Sequence, residues 1–267
     1  MSKDKDTKNA AMFEFPSVIP GKGTNVLSLN LDPRLEVRVP TGLDFIDELL
    51  GAGEQELGAT PSTSILFTGG AGAGKTTLSQ QLADAWTRAG GVALLNGQEE
   101  HPLQVRKTSK RLNLKSGFII GEDRLVPNML NHADYLREKS PNKPLLLICD
   151  SLQTHDDGFY RDGGTNTMTP VRITRMLTEY CKRHYAVCVL IGQVNKDGKF
   201  SGKNSIKHLV DVHMHLQIDQ KPTSETFGKR ILKVEKNRFG FSQVGYFLGM
   251  KSEGLYADGE WSPVVED

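Results

Sequence analysis

The sequence lacks the features of secreted, zinc-bound and membrane-spanning proteins. Its 267 residues include three cysteines and no C-x-x-C pair, so the ligand count excludes a zinc ribbon, and a disulfide framework is not expected. No apolar run approaches the roughly 20 residues of a membrane span, and the polar N-terminus has no apolar segment of a secretion signal. Because 33 Lys and Arg side chains balance 32 Asp and Glu, the net charge is only +1, and any polyanion site must be a local patch. We expect a cytoplasmic protein that does not bind membranes.

Residues 69–77 form a glycine-rich segment that matches the phosphate-binding pattern G-x-x-x-x-G-K-[ST]. A short apolar strand over residues 64–68 precedes it, and helical periodicity from Thr76 to Trp86 follows it. In that context the backbone N–H groups of the loop close around a triphosphate, and the helix N-terminus adds partial positive charge. We expect the Lys75 ammonium to reach the β- and γ-phosphates and the Thr76 hydroxyl to ligate Mg²⁺. The sequence therefore predicts a nucleoside triphosphate site, contacted by Gly69, Gly70, Ala71, Gly72, Ala73, Gly74, Lys75, Thr76 and Thr77.

Polar side chains follow three further apolar segments and supply the other groups that hydrolysis requires. Asp150 ends the apolar run 145–149, and we predict that it supports Mg²⁺, although an Asp in this place also suits a helix cap. Glu99 and Glu100 follow the strand-like segment 92–96, where one of them could polarise a water molecule. Adjacent glutamates on a loop are also often just solvated. Gln193 at the end of another strand could sense the γ-phosphate or cap a turn.

The order of predicted strands and helices indicates an α/β fold. Strand and helix alternate up to about Gly192, which predicts a doubly wound, mostly parallel sheet. Strand-like segments at 210–217, 230–236 and 243–247 predict an antiparallel extension at the C-terminal end. Before the glycine-rich loop, Thr41 is placed to cap a short helix. We expect residues 1–38 to form an arm, partly disordered or used in oligomerisation, and residues 39–267 to form the nucleotide-binding core.

These motifs in this order resemble the RecA-like ATPase core of the bacterial RadA (Sms) family, with RecA, DnaB helicase and KaiC as more distant relatives. The resemblance runs from about Val39 to Tyr256 and includes the segments 96–100 and 149–154. Its most specific pieces are Gly-Gln-Val-Asn-Lys-Asp-Gly at 192–198 and Lys-Asn-Arg-Phe-Gly at 236–240, the motif that marks RadA. The resemblance implies a RecA-like P-loop NTPase core over residues 39–267. RadA proteins also have a four-cysteine zinc finger and a Lon-protease-like domain, and we expect this sequence to be the core without them.

The resemblance also implies a site shared between subunits. Lys236 and Arg238 would reach the γ-phosphate held by a neighbouring P-loop, in the manner of an arginine finger, and the protein would be a homo-oligomer, a ring (a hexamer in our expectation) or a filament. A surface turn with two solvated cations is the alternative. Gln193 replaces the usual histidine of the family, and RecA has glutamine at the comparable place. One extra residue near Gln98 leaves the catalytic glutamate open, with a slight preference for Glu100 over Glu99.

Two loops would meet DNA in a RecA-like assembly. The second, at 195–208, combines four lysines with one aromatic side chain, which is typical of sequence-independent binding to single-stranded DNA. Its predicted DNA contacts are Lys196, Lys199, Phe200, Lys203 and Lys207. The first loop, at 155–165, is more acidic and carries Phe159, Tyr160 and Arg161, and we assign it no role. For both loops the alternative is a flexible, solvated segment.

Taken with the resemblance, the sequence predicts a Mg²⁺-dependent ATPase of the RadA/RecA type that oligomerises on single-stranded DNA. It would use ATP and Mg²⁺ in recombination, repair or replication, by translocation or branch migration, with recombinase or replisome proteins as further partners. Two alternatives stay open at this stage. One is a DnaB-like replicative helicase motor, and the other is a KaiC-like regulatory ATPase that does not bind DNA.

Overall fold

The computed structural model of the chain describes residue 26 and residues 29–161, 163–193, 205–224 and 226–262. The helices are α1 (Asp44–Leu50), α2 (Lys75–Arg88), α3 (Pro102–Arg111), α4 (Val126–Lys139), α5 (Thr169–His184) and α6 (Ser205–Leu209). The strands are β1 (Ser64–Gly69), β2 (Val92–Gly97), β3 (Ile119–Gly121), β4 (Leu145–Asp150), β5 (Val187–Gln193), β6 (Val212–Ile218), β7 (Arg230–Asn237), β8 (Val244–Lys251) and β9 (Gly254–Trp261).

Within these ranges the strands form one nine-stranded sheet in the order β3-β2-β4-β5-β1-β6-β7-β8-β9. Strands β3 to β6 in this order pair in parallel, and β1 is central with β5 on one side and β6 on the other. The last three pairings, from β6 to β9, are antiparallel. The predicted doubly wound sheet with an antiparallel C-terminal extension is confirmed.

Two hydrophobic cores lie on the two faces of the sheet, because successive side chains of a strand point to opposite faces. On β1, Ile65 and Phe67 belong to the core that also contains Trp86 of α2. Leu66, between them, belongs to the other core, together with Leu177 of α5. Strands covered on both faces read as continuous apolar runs, which is why β1 and β4 could be found in the sequence. The helices on both faces fix the carboxyl ends of the parallel strands along one edge.

The short helix predicted before the glycine-rich loop is present as α1, but the predicted cap at Thr41 is wrong. Its N-cap is Leu43, without a side-chain cap bond, and Thr41 lies further upstream. The backbone N–H of Thr41 donates to the buried carboxylate of Asp47 over 2.6 Å, so the acid of the helix holds the preceding turn. A capping threonine and a side chain that orders the turn before a helix have the same sequence pattern, and only the tertiary contact separates them.

The ends of the sequence and two short elements complete the description. Strand β9 and the five-residue helix α6 were not expected from the sequence. Of the predicted arm at 1–38, residues 1–25, 27 and 28 lie outside the described ranges, and Pro33–Leu35 form a 3₁₀ turn. The boundary at residue 38 stays a prediction. None of the helices in the described ranges combines the length and the apolar character needed to cross a membrane.

Candidate nucleotide site

Four parallel strands bring the sequence-predicted residues to one edge of the sheet. Strands β1, β2, β4 and β5 end at Gly69, Gly97, Asp150 and Gln193. Gly69 is paired in register with Gln193, and Gly97 with Asp150. A crevice outside the carboxyl ends of parallel strands is where ligands bind in doubly wound folds. The sheet therefore positions the candidate site, with Asp150 and Gln193 at strand ends and Lys75 and Thr76 at the start of the helix that follows β1.

The glycine-rich loop leads directly from β1 into the N-terminus of α2. Gly74 is the N-cap of α2 with φ 111°, a backbone conformation that glycine adopts readily and other residues avoid. Lys75 begins the helix, and its Nζ donates to the carbonyl oxygens of Gly69 over 2.8 Å and of Gly70 over 3.0 Å. The described residues contain no salt bridge to Lys75. Burial lowers the pKa of Lys75 from its usual value, while Asp150 and Glu99 act in the opposite direction. The loop thus holds a partly desolvated cation beside a helix N-terminus, which favours an anionic ligand.

Thr76 and Asp150 meet as expected for the two metal-supporting groups. The Thr76 hydroxyl donates to Asp150 Oδ2 over 3.1 Å, joining the start of α2 to the end of β4. Burial raises the pKa of Asp150 to about 6; the Thr76 bond and Lys75 counteract this, and Glu99 and Glu100 add to it. Three acids near the half-buried Thr76 hydroxyl concentrate negative charge in a confined space. A divalent cation would relieve that repulsion.

A small pocket that opens to solvent lies between α2, α3 and the ends of β2, β3 and β4. Its polar lining consists of Thr76, Gln80, Glu99, Glu100 and Asp150, and its apolar part of Leu95, Val105 and Ile120. Gln80 is only 1% exposed, and its Oε1 has no hydrogen-bond partner among the described residues. Sequence reasoning missed Gln80. The available signal was its spacing, since a residue four positions after Thr76 lies on the same face of α2.

The residues present fit a metal–triphosphate complex better than a free metal ion. The described part of the chain contains no group of three or more His, Cys, Asp or Glu side chains that could hold a metal. Mg²⁺ is usually bound by one or two carboxylates together with substrate phosphates and several waters. Thr76 and Asp150 supply the protein share of such a shell, and the P-loop supplies the phosphate cradle.

The two candidate catalytic glutamates differ in their contacts. Glu99 Oε1 accepts from the Ser151 hydroxyl over 3.3 Å and from Gln193 Nε2 over 3.4 Å. Glu100 lines the same pocket and contributes to the raised pKa of Asp150. The structure thereby brings Glu99 together with the predicted sensor at the end of β5, whereas the sequence alone slightly favoured Glu100.

Lys236, at the end of β7, is bound within its own chain. Its Nζ donates to the carbonyl oxygens of Lys207 over 2.9 Å and of Val210 over 2.6 Å. These bonds satisfy carbonyl groups at the C-terminal end of α6. Burial lowers the pKa of Lys236 from its usual value. The side chain therefore ties β7 to the segment that follows the lysine-rich loop.

Arg238 is paired in the same region. Its Nη1 lies 3.1 Å from Asp211 Oδ1, and its Nη2 donates to the His208 carbonyl oxygen over 3.1 Å. The Asp211 carboxylate is buried, and its Oδ2 also accepts from the backbone N–H and the hydroxyl of Ser64. A Cβ added at Gly240 would lie 1.8 Å from the Gly51 carbonyl oxygen, so this place in Lys-Asn-Arg-Phe-Gly requires glycine. The motif is held by these bonds and by the close approach of Gly240 to Gly51, although the Arg238 side chain is exposed.

Most of the predicted DNA loop is outside the described ranges. Lys196, Lys199, Phe200 and Lys203 fall there, and their assignment stays a prediction. Lys207 is described and lies on α6, where its Nζ is 3.5 Å from Glu235 Oε2. Its side chain is 39% exposed, so a phosphate could reach the ammonium from solvent.

In the first loop, Asp156 and Asp157 are buried, whereas the rings of Phe159 and Tyr160 are exposed. Asp157 is buried and forms an ion pair with Arg172 of α5. The Arg172 guanidinium also lies 4.4 Å from the centre of the Phe159 ring, and this ring meets Tyr160 edge-to-face at 5.0 Å. Phe159 is 65% exposed. Sequence reasoning counted the acids as loop charge and missed Arg172, which compensates one of them from a different element.

Comparison with known proteins agrees with this geometry. No family model matches the chain. The chain is 34% identical over 234 residues to DNA repair protein RadA of Mycobacterium tuberculosis (strain H37Rv), an alignment that covers 87% of this chain and 46% of that protein. It is 30% identical over 219 residues to DNA repair protein RadA of Aquifex aeolicus (strain VF5), covering 82% and 46%. The fold resembles the ATPase domain of G40P with a TM-score of 0.70 and 14% identity, over 83% of this chain and 91% of that chain.

The chain spans about half the length of the curated relatives it matches. It is a homologue of the bacterial RadA proteins over that part, and its fold is that of a RecA-like P-loop NTPase. The resemblance found in the motifs is confirmed.

Proposed function

We propose that this protein is a Mg²⁺-dependent ATPase that oligomerises on single-stranded DNA and acts in recombination, repair or replication. The observation that carries the proposal is the junction of Lys75, Thr76 and Asp150 at the ends of β1 and β4. The relatives named DNA repair protein RadA support the DNA part. We expect the protein to act in the cytoplasm, by translocation or branch migration.

The nucleotide-binding residues would act by charge and position. Lys75, held on two carbonyl oxygens, is ready to exchange them for phosphate oxygens, which are stronger acceptors. The backbone N–H groups of the loop and the N-terminus of α2 add to the binding of phosphate. Thr76 and Asp150 would hold Mg²⁺, which neutralises charge on the phosphates when it is bound. Their existing contact means that little rearrangement is needed for this step.

One glutamate would orient the attacking water and accept its proton. The contacts support Glu99, because it is linked to Gln193 and lies close enough to Lys75 to affect its pKa. A carboxylate coupled to the γ-phosphate sensor could report the state of the nucleotide to β5 and the loop after it. Glu100 remains the alternative base in the same pocket.

Lys236 and Arg238 would complete the site of a neighbouring subunit, as the resemblance to RadA implies. In one chain both cations are already occupied by α6 and Asp211. Arg238 would therefore have to open its ion pair before it could approach a phosphate across the interface. This exchange would make hydrolysis depend on assembly. It would also couple Arg238 to α6, at the C-terminal end of the lysine-rich loop.

Two features would bind single-stranded DNA. The lysines at 196, 199, 203 and 207 would neutralise phosphates, and Phe200 would stack on a base. The exposed rings of Phe159 and Tyr160, braced by Arg172, offer a second stacking surface. Stacking on aromatic rings tolerates any sequence, in keeping with a general role on DNA.

The test is steady-state ATP hydrolysis by the full chain, with and without single-stranded DNA, for wild type, Lys75→Ala and Arg238→Ala. We expect DNA to stimulate the wild type, Lys75→Ala to abolish hydrolysis, and Arg238→Ala to lower the stimulated rate by about 10³-fold. A rate that ignores both DNA and Arg238 would reject the proposal in favour of a regulatory ATPase. Unwinding of a forked duplex by the wild type would instead identify a replicative helicase motor.

A further inference from the structure

Two adjacent glutamines of α2 are in contrasting environments. Gln81 uses both ends of its amide, since its Nε2 donates to the Leu255 carbonyl oxygen over 3.0 Å and its Oε1 accepts from the Leu255 N–H over 2.9 Å. It therefore ties α2 to β9. Gln80 is 1% exposed, and its Oε1 has no partner among the described residues. Gln81 therefore joins two elements of the fold, whereas the contacts of Gln80 do not explain why its oxygen is buried.

The Gln80 side chain lies at the pocket that contains the metal-supporting groups. Gln80 lines this pocket together with Thr76, Asp150 and the two glutamates. Thr76 and Gln80 are four residues apart on α2, so both lie on the helix face that meets the ends of β2 and β4. A buried amide oxygen without a hydrogen bond is costly, and its retention in a functional pocket calls for a ligand.

The chemistry of the pocket restricts what that ligand is. Ionised Asp150, Glu99 and Glu100 are acceptors only and cannot donate to a carbonyl oxygen. The Thr76 hydroxyl is already committed to Asp150. The missing group must bring its own O–H or N–H into this pocket. Water fits this description, and a water bound to a divalent cation is a stronger donor than bulk water because the cation polarises it.

We propose that Gln80 is a positioning residue for the hydration shell of the divalent cation beside Thr76 and Asp150. Its side-chain carbonyl would accept a hydrogen bond from a water of that shell and so help to orient it. The inference rests on the proposed nucleotide function and assigns to that site a residue from the interior of α2. Mg²⁺ retains several waters when protein ligands are few, so groups that bind these waters tune its affinity.

The test is a Mg²⁺ titration of the binding of a fluorescent ATP analogue, measured for the full chain without turnover. Gln80→Leu removes the acceptor and keeps the approximate volume. We expect it to raise the Mg²⁺ concentration for half-maximal enhancement of binding by about five-fold, the effect of one hydrogen bond. Affinity for the analogue without Mg²⁺ should stay unchanged. Gln80→Glu retains an acceptor, and its Mg²⁺ requirement should be no higher than that of the wild type.

Gln81→Leu is the matched control. It loses both bonds to Leu255 and should lower the thermal stability, while its Mg²⁺ titration should match the wild type. If Mg²⁺ does not enhance binding in the wild type, the proposed nucleotide function fails. If the wild type responds and Gln80→Leu follows the same titration curve, only the role of Gln80 is rejected. A raised Mg²⁺ requirement in Gln81→Leu as large as in Gln80→Leu would also reject it, because general loosening of α2 would then be the cause.

Discussion

Lys75 and Arg238 are both assigned to the phosphates of a nucleotide, yet the chain holds them differently. The Lys75 ammonium is half-buried and contacts two neutral carbonyl oxygens. The Arg238 guanidinium is exposed and pairs with the carboxylate of Asp211, which is itself buried. One cation is thus desolvated with incomplete compensation, and the other is solvated and compensated.

The difference separates two ways of preparing a basic group for a phosphate. A desolvated cation on neutral acceptors attracts an anion without an internal bond of comparable strength to break. A cation in an ion pair needs a competing interaction before it is released. Binding of the nucleotide should therefore depend mainly on Lys75 in a single chain. The contribution of Arg238 should appear only where a second subunit competes with Asp211.

Lys75→Met should have the largest effect, because it removes the charge and keeps the length of the side chain. We expect affinity for ATP in the presence of Mg²⁺ to fall at least about 100-fold, the loss of charge-assisted bonds to phosphate. The free energy of unfolding should stay the same or rise slightly, since a desolvated cation is removed. Binding is measured with a fluorescent analogue, and stability by urea unfolding.

The exposed Lys182 of α5 provides the control for charge alone. Lys182→Met should leave both quantities within error of the wild type. Retention of nucleotide binding within threefold in Lys75→Met would show that the P-loop backbone suffices, and the contrast with Arg238 would lose its basis.

Arg238→Met should have the opposite profile. Urea unfolding of the single chain should show a loss of about 1–2 kcal/mol, because Asp211 keeps its bonds from Ser64 but loses its cation. Nucleotide affinity of the unassembled chain should change less than twofold. Combining Arg238→Met with Asp211→Asn should recover part of the stability, since the unpaired charge is removed. A large drop in affinity of the single chain would instead place Arg238 in the nucleotide site of its own subunit.

The sequence predicted the parts of this comparison that depend on short spacing. The P-loop follows β1 directly, and Asp150 and Gln193 are the last residues of β4 and β5, so a parallel sheet had to bring them together. The partners of Arg238 and Gln81 were not predictable in this way. Asp211 is 27 residues from Arg238, and Leu255 is 174 residues from Gln81. These contacts depend on the registers of β7 and β9, which patterns of apolar residues do not specify. Gln80 was overlooked because a glutamine in a helix reads as surface.

A polar network joins the two regions. The Thr68 hydroxyl, one residue before the P-loop, lies 2.8 Å from both His213 Nε2 and His215 Nδ1. The other ring nitrogen of His213 is 2.8 Å from Glu235 Oε2, and Glu235 directly precedes Lys236. A shift of Lys236 toward a neighbouring subunit would therefore displace Glu235 and His213, and through them Thr68 at the start of the P-loop.

The smallest predicted effect concerns this network and pH. Burial lowers the pKa of His215 to about 4, against the influence of Glu235. Its folded pKa then lies below the usual value of 6.5, so between pH 6.5 and 4 the unfolded chain binds more protons. Stability from this group is present above pH 6.5 and is lost as the pH falls toward 4.

His215→Gln should remove about 1 kcal/mol of that pH dependence of the free energy of unfolding, allowing for partial exposure. Urea unfolding at several pH values measures it. Burial also lowers the pKa of His184 to about 4. His184 contributes equally to the pH dependence of the wild type and of His215→Gln, so the difference between their slopes reports on His215. Identical slopes would mean that burial does not lower the pKa of His215 in the folded chain.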